Sequence, residues 1–228
     1  MSVKNQFSIN AKNYEGYNFI QNKVIENVLT KISSKPKSIL DLGCGSGKLF
    51  RSINWPVDIF YAVDFSKEML SIHPDNKNVK CIPGDFNDPT LFDNLSQFKI
   101  DRVFSTSSLQ WATDLDVSFK FIKKLKAPVS FAIFTSNTFK TVFKTANIPP
   151  LLRSAKEVTS IANKYFDAEY ETLNYTLSFN STLEMFQYIK KSGVSGGRNI
   201  LTYKRMKDLI KNYPTNHLEF EVLFITEQ

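Results

Sequence analysis

The sequence predicts an α/β fold in which helices cover both faces of a doubly wound, mostly parallel sheet. Between residues 37 and 136, five short apolar runs alternate with segments of helical periodicity. The first of these runs leads directly into a glycine-rich loop, GCGSG. Strands that are joined by helix-length connections form βαβ units with right-handed crossovers, so these strands are expected to lie parallel.

The five strands of this region are predicted from their apolar runs, the fourth together with its exit loop. They correspond to KSILDL, VDIFYAVD, NVKCIPGD, KIDRVFSTSSLQW and APVSFAIFTS. A helix is predicted after the second strand, where Ser66 is a suitable N-cap because its side chain can accept from an amide of the first turn. Apolar residues at helical spacing predict a further helix before the sheet. Its apolar face contains Phe19, Ile20, Val24, Val28 and Leu29.

The pattern is looser after the fifth strand. Residues 139–152 contain Pro149 and Pro150 and are predicted to form a loop. Residues 154–164 are predicted to form a helix. The alternating segments YETLNYTLSF and LEFEVLFITE predict two more strands, with helices at TLEMFQYIKKS and TYKRMKDLIKNY between them. The chain therefore has about seven strands.

Composition restricts the class of protein. The chain has 228 residues, of which 42% are hydrophobic, enough for one well-buried core. Its two cysteines and two histidines predict neither a disulfide framework nor a metal site. The N-terminus is polar, and no run approaches the ~20 apolar residues that span a bilayer, so we expect a soluble cytoplasmic protein. The net charge of +7 favours an anionic partner, either nucleic acid or an acidic carrier protein.

Three classes of ligand are candidates for the loop in ILDLGCGSGKLF: a nucleoside triphosphate, a dinucleotide and S-adenosylmethionine. A phosphate-binding P-loop needs a hydroxyl after its lysine, but Leu49 stands there, and Leu42 replaces its first glycine. The dinucleotide pattern needs a third glycine where this chain has Lys48. This mismatch weakens the hypothesis of a dinucleotide ligand, which stays an alternative at this point. The spacing D-L-G-C-G-S-G remains, in which glycines let the backbone approach a ligand closely.

This motif resembles the first motif of the class I S-adenosylmethionine-dependent methyltransferases, and further motifs follow in order. Asp64 ends the second strand, GDF ends the third, and STSSLQW follows the fourth. The resemblance implies that Asp64 accepts from both ribose hydroxyls and that Asp85 accepts from the adenine amino group. The implied cofactor residues are Asp41, Gly43, Cys44, Gly45, Gly47, Asp64, Phe65, Met69, Asp85, Phe86 and Ser105.

The flanking segments resemble one family, the malonyl-acyl-carrier-protein O-methyltransferases of biotin synthesis. The resemblance rests on FSINAKNYEGYNFIQNKVIENVL, on STSSLQW and on YIKKSGVSGG…ILTYKRM…YP…LEFEVLFI. It implies methylation of the free malonyl carboxylate, which starts pimeloyl synthesis. Tyr14 would orient that carboxylate as the catalytic residue, and the acceptor would also meet Gln110, Trp111 and Arg198.

The resemblance also completes the expected architecture. We predict a Rossmann-like sheet of seven strands with an antiparallel last strand and an N-terminal helical lid. The chain is expected to be a single methyltransferase domain over residues 1–228. Its parts are an N-terminal helix and lid (1–36), a cofactor-binding core (37–136), and acceptor-side helices with the last strands (137–228).

The basic excess is concentrated near the C-terminus. Residues 188–211 contain seven Lys or Arg side chains and one acid, Asp208. Because acyl carrier proteins are acidic, we expect this stretch to dock the malonyl-acyl carrier protein, with an effect mainly on the encounter rate. A monomer is compatible with the sequence, and no nucleic acid, membrane or metal is expected as a partner.

Three alternatives to this function remain open. The acceptor can instead be another small acid, a quinone precursor or a lipid. The pI near 9.2 makes methylation of RNA a second alternative, although the sequence has no RNA-binding module or NPPY-like tetrad. A protein that binds the cofactor without catalysis, as a partner or regulator, is the third alternative.

Overall fold

The computed structural model describes residues 19–191 and 202–228, in which a seven-stranded sheet carries helices on both faces. The strands are β1 (Ser38–Leu42), β2 (Ile59–Asp64), β3 (Val79–Pro83), β4 (Arg102–Thr106), β5 (Val129–Phe134), β6 (Glu169–Ser178) and β7 (His217–Thr226). The α-helices are α1 (Phe19–Thr30), α2 (Lys48–Ser52), α3 (Lys67–Ser71), α4 (Pro89–Leu95), α5 (Leu115–Lys123), α6 (Lys140–Ala146), α7 (Ala155–Ala162), α8 (Thr182–Lys191) and α9 (Tyr203–Asn212). A 3₁₀ turn, Leu109–Trp111, follows β4.

The order of the strands places a topological switch point beside β1. The sheet runs β3-β2-β1-β4-β5-β7-β6, and β1 pairs in parallel with both β2 and β4. Ligands of open α/β sheets bind at such a point, outside the carboxyl ends of the strands. β7 pairs antiparallel with β5 and with β6, so the predicted antiparallel last strand is confirmed.

Two hydrophobic clusters hold the helices on the sheet. On one face, α5 packs Phe119 against Phe131, with ring centroids 5.8 Å apart, and against Phe166 at 5.2 Å. On the other face, α1 buries Val24 and Val28, which confirms the predicted N-terminal helix. None of the helices within residues 19–191 and 202–228 is long and apolar enough to cross a membrane.

The predicted N-cap at Ser66 is confirmed. Its hydroxyl accepts from the Met69 amide at 3.2 Å, and the residue has extended backbone angles. Asp88, Asp114 and Ser154 cap α4, α5 and α7 in the same way. Each cap provides a partner for an amide that a helix N-terminus would otherwise leave unsatisfied.

The prediction of a loop over residues 139–152 is wrong for the first half of that range. The structure has a helix there, α6, which ends at Ala146 before Pro149 and Pro150. Ala146 is buried in the cluster that contains α1, and its carbonyl accepts from Arg205 of α9 at 3.5 Å. A helix of this length is marginal alone, so packing against α9 and β7 stabilises it, and the local pattern does not reveal it.

The aromatic cluster beneath α5 gives a stability prediction. Phe119→Ala removes a side chain that is fully buried between Phe131 and Phe166. We expect a loss of about 3–5 kcal/mol in the free energy of unfolding, because the cavity cannot collapse completely. Urea denaturation followed by circular dichroism measures this loss.

Val117→Ala is the matched control, since Val117 lies on the exposed side of the same helix. Its change should stay within about 0.5 kcal/mol. Equal effects of the two substitutions would contradict the assignment of Phe119 to the core.

Candidate cofactor and acceptor site

The glycine-rich loop follows β1 at the carboxyl edge of the sheet. Gly43, Gly45 and Gly47 have φ angles of 76°, 53° and 84°, which only glycine adopts freely. A Cβ on Gly43 would lie 2.3 Å from Cβ of Ser108. The amides of Gly43 and Cys44 both donate to the Val63 carbonyl, at 2.8 and 3.0 Å. The loop is therefore fixed between the ends of β2 and β4.

Asp64, the last residue of β2, ties this loop to the next helix. Its Oδ2 accepts from the Gly45 amide and its Oδ1 from the Ser66 amide, each at 2.9 Å. Burial raises the pKa of this carboxyl, while the two amides counteract that shift. The side chain lines the cavity above the loop and keeps further lone pairs available for a ligand.

Asp41, on β1, is a second buried carboxyl behind the loop. It is 1% exposed, and neither of its oxygens has a hydrogen-bond partner in the described part of the chain. Burial, and then the charge of Asp64, raises the pKa of Asp41 to about 8. An unsatisfied carboxyl of this kind is costly, and a nearby positive ligand would relieve that cost.

One cavity at the switch point brings most of the predicted residues together. Its walls come from α1, the glycine-rich loop, the ends of β2 and β3, and the segment after β4. Predicted residues that line it are Gly43, Cys44, Gly45, Asp64, Phe65, Met69, Phe86 and Trp111. The structure therefore joins the cofactor loop and the predicted acceptor residue Trp111 in a single space.

Asp41, Gly47, Ser105 and Gln110 support these walls from behind and are not among the lining residues. Ser105 is fully buried, and its hydroxyl donates to the Leu42 carbonyl at 2.9 Å. This hydroxyl therefore pins β4 to β1 where the sequence predicted a cofactor contact. Gln110 donates from Nε2 to the Ser107 carbonyl at 2.7 Å, so it braces the segment after β4.

Asp85 also lies beside the cavity and not in its wall. Its Oδ1 accepts from the backbone and side-chain nitrogens of Asn87, at 2.9 and 2.8 Å. The cavity is reached instead by Gly84 and Phe86, the residues on either side. At least one oxygen of Asp85, the predicted adenine-binding residue, is therefore hydrogen-bonded within the turn that follows β3.

The predictions for Tyr14, for the N-terminal lid and for Arg198 lie outside the described residues. Conversely, Gln21 and Ser107 are among the polar residues that line the cavity but are missing from the predicted site residues. Gln21 of α1 is 7% exposed with its Oε1 unpartnered among the described residues, and Ser107 has a φ of 72°. The sequence contains a signal for Gln21, because this polar residue lies beside Ile20 on the apolar face of the predicted helix. It contains no signal for the backbone angle of Ser107.

Comparison with known proteins agrees with this geometry. Residues 40–134 match the family described as a methyltransferase domain. A malonyl-acyl-carrier-protein O-methyltransferase of Acetivibrio thermocellus is 28% identical, and the match covers 83% of this chain and 76% of that protein. Another, from Buchnera aphidicola subsp. Baizongia pistaciae, is 25% identical, with 94% of this chain and 91% of that protein covered.

A solved structure shares the fold over the whole chain. Phosphoethanolamine N-methyltransferase 2 of Haemonchus contortus, in complex with S-adenosyl-L-methionine, has a TM-score of 0.59 at 15% identity. The match covers 100% of this chain and 60% of that one. The chain is therefore an S-adenosylmethionine-dependent methyltransferase, and its predicted resemblance to the malonyl-acyl-carrier-protein O-methyltransferases is confirmed.

Proposed function

We propose that this enzyme methylates the free carboxylate of a malonyl group that is carried as a thioester on an acyl carrier protein. S-adenosylmethionine, when bound, supplies a methyl group on a sulfonium and leaves as S-adenosylhomocysteine. The relatives of this name match the chain beyond residue 134, where the acceptor side is expected. We expect the ester to serve as the cytoplasmic start of pimeloyl synthesis for biotin.

The observation that carries the proposal is the set of ionisable groups in the cavity. Among the described residues of its walls, these are Cys44, Lys48 and Asp64. Burial raises the pKa of the Cys44 thiol well above its usual value, so that thiol stays neutral. A lysine ammonium only donates, and the lone pairs of Asp64 that its two amide bonds leave would be used by the ribose hydroxyls of the cofactor.

The described walls therefore lack a residue suited to take a proton from the acceptor at neutral pH. A malonyl carboxylate needs no such base because it is already ionised. What remains for the protein is to align and partly desolvate two charged reactants. The described walls therefore suit a carboxylate acceptor, which asks for no proton removal, better than an alcohol or an amine that must lose a proton.

The proposed cofactor role of the loop is supported by the acidic and apolar side chains that lie around it. Asp64 would accept from the ribose hydroxyls, while Phe65, Met69 and Phe86 supply apolar surface for the adenine. Asp41 lies behind the loop with an unsatisfied carboxyl, whose ionised form would be favoured by a ligand that carries an ammonium and a sulfonium. The charge and the apolar surface of these residues suit S-adenosylmethionine.

On the acceptor side, Trp111 lines the cavity and Gln110 braces the same segment. Tyr14 and Arg198 are the proposed partners of the carboxylate from the segments outside the described residues. The proposed docking surface includes α9, where Arg205, Lys207 and Lys211 are exposed. Charge complementarity with an acidic carrier protein would act there on the association rate.

The buried carboxyl of Asp41 predicts a pH-dependent cost in the cofactor-free protein. Its raised pKa means that the folded state holds a proton which the unfolded state releases between about pH 4 and pH 8, so stability falls across that window. Asp41→Asn removes this cost. We expect its gain in melting temperature over the wild type to grow between about pH 5 and pH 8, while its affinity for S-adenosylmethionine falls.

Asp93→Asn is the control, because Asp93 is exposed on α4. Its melting temperature should follow the wild type at every pH. A gain for Asp41→Asn that does not change with pH would contradict the buried, unpartnered state of Asp41.

Turnover with matched acceptors tests the proposed function. The purified protein should convert malonyl-acyl carrier protein at least about tenfold more efficiently than malonyl-coenzyme A, and free malonate least, because the carrier adds contacts outside the cavity. Acetyl-acyl carrier protein is the control, since it lacks the carboxylate. Formation of S-adenosylhomocysteine and the mass of the acceptor report the reaction.

Efficient turnover of another small acid, a quinone precursor or a lipid, together with indifference to all malonyl acceptors, would overturn the acceptor assignment. Binding of S-adenosylmethionine without turnover of any acceptor would instead favour a non-catalytic partner protein.

A further inference from the structure

The segment after β4 carries three serines whose hydroxyls are used differently. Ser105 and Ser108 both donate to the Leu42 carbonyl, at 2.9 and 2.7 Å, and their oxygens lie 2.6 Å apart. Ser107 lies between them in the chain and lines the cavity. Its Oγ is buried and has no hydrogen-bond partner among the described residues. Two hydroxyls therefore pin the segment, and the third is left unused.

The backbone of Ser107 is held in a strained conformation. Its φ of 72° lies in the left-handed region, which is unfavourable for a residue that has a side chain. Contacts on both sides impose it: the Ser107 amide donates to the Ala132 carbonyl at 2.9 Å, and the Ser107 carbonyl accepts from Gln110 at 2.7 Å. Strain of this kind persists only where surrounding contacts fix it, and it is concentrated at functional sites.

A buried hydroxyl without a partner also costs free energy, and a ligand in the cavity can provide the missing partner. The glycine-rich loop and Asp64 form the proposed cofactor side of the cavity. Ser107 belongs instead to the segment that contains Trp111, the predicted acceptor residue. A hydroxyl forms its strongest hydrogen bond as a donor to an anion, and the acceptor in the proposed reaction is a carboxylate.

We propose that Ser107 is an acceptor-binding residue whose hydroxyl donates to the oxygen of the malonyl carboxylate that does not attack. This inference rests on the proposed function. The other carboxylate oxygen supplies the electron pair that forms the new O–C bond while the S–C bond breaks, and the sulfonium becomes a neutral thioether. Ser107 keeps its proton throughout and fixes which oxygen faces the methyl group.

Two substitutions in the full chain test this role. Ser107→Ala removes the hydroxyl, and Ser107→Gly removes both the hydroxyl and the backbone strain. We expect each to lower kcat/KM for malonyl-acyl carrier protein about 10- to 100-fold, mainly through KM, because a hydrogen bond to a charged group is lost. Affinity for S-adenosylmethionine, measured by calorimetry, should stay within about twofold, and the glycine variant should melt no lower than the wild type.

Lys126→Gly is the matched control. Lys126 has a φ of 55° and is exposed. It precedes β5 at the amino end of the strand, whereas the cavity lies at the carboxyl ends. This variant should relieve the same kind of strain with unchanged kinetics for both substrates.

Three outcomes would overturn the role of Ser107. They are wild-type kinetics in the glycine variant, a parallel loss of S-adenosylmethionine affinity in both variants, and a glycine variant that melts below the wild type. A wild-type enzyme without turnover on any malonyl acceptor is a separate result, because it overturns the proposed function itself.

Discussion

The two hydrogen bonds that Asp64 accepts from Gly45 and Ser66 are the interaction on which the site depends. They connect the glycine-rich loop after β1 with the start of α3 across the ends of two neighbouring strands. Without them, the backbone amides of the loop would lack a fixed position relative to the apolar wall that includes Met69. The buried carboxyl thus orders the loop and also lines the cavity, and burial raises its pKa.

A second constraint acts from β4. The hydroxyls of Ser105 and Ser108 converge on the Leu42 carbonyl, and Gly43 fits against Ser108 with no space for a side chain. Since β4 lies next to β1 at the switch point, this packing brings the acceptor segment to the cofactor loop. The strand order therefore explains why the proposed cofactor and acceptor residues share one cavity.

The sequence predicted whatever depends on local pattern: the succession of strands and helices along the chain, the N-terminal helix, the Ser66 cap and the glycine-rich loop. Local pattern does not show what tertiary contacts decide. Packing against α9 and β7 makes α6 helical, and after β4 it is Ser107, with its left-handed backbone, that lines the cavity, while Ser105 lies behind it. Asn87 takes up an oxygen of Asp85 through a turn that spacing alone does not show.

Calorimetric titration of Asp64→Asn with S-adenosylmethionine tests the central claim most directly. Asp58→Asn is the matched control, since Asp58 is exposed just before the start of the same strand. We predict that Asp64→Asn weakens binding by at least about tenfold, as expected when a charged acceptor is lost, while Asp58→Asn binds like the wild type. Equal affinities in a folded Asp64→Asn variant would contradict the account.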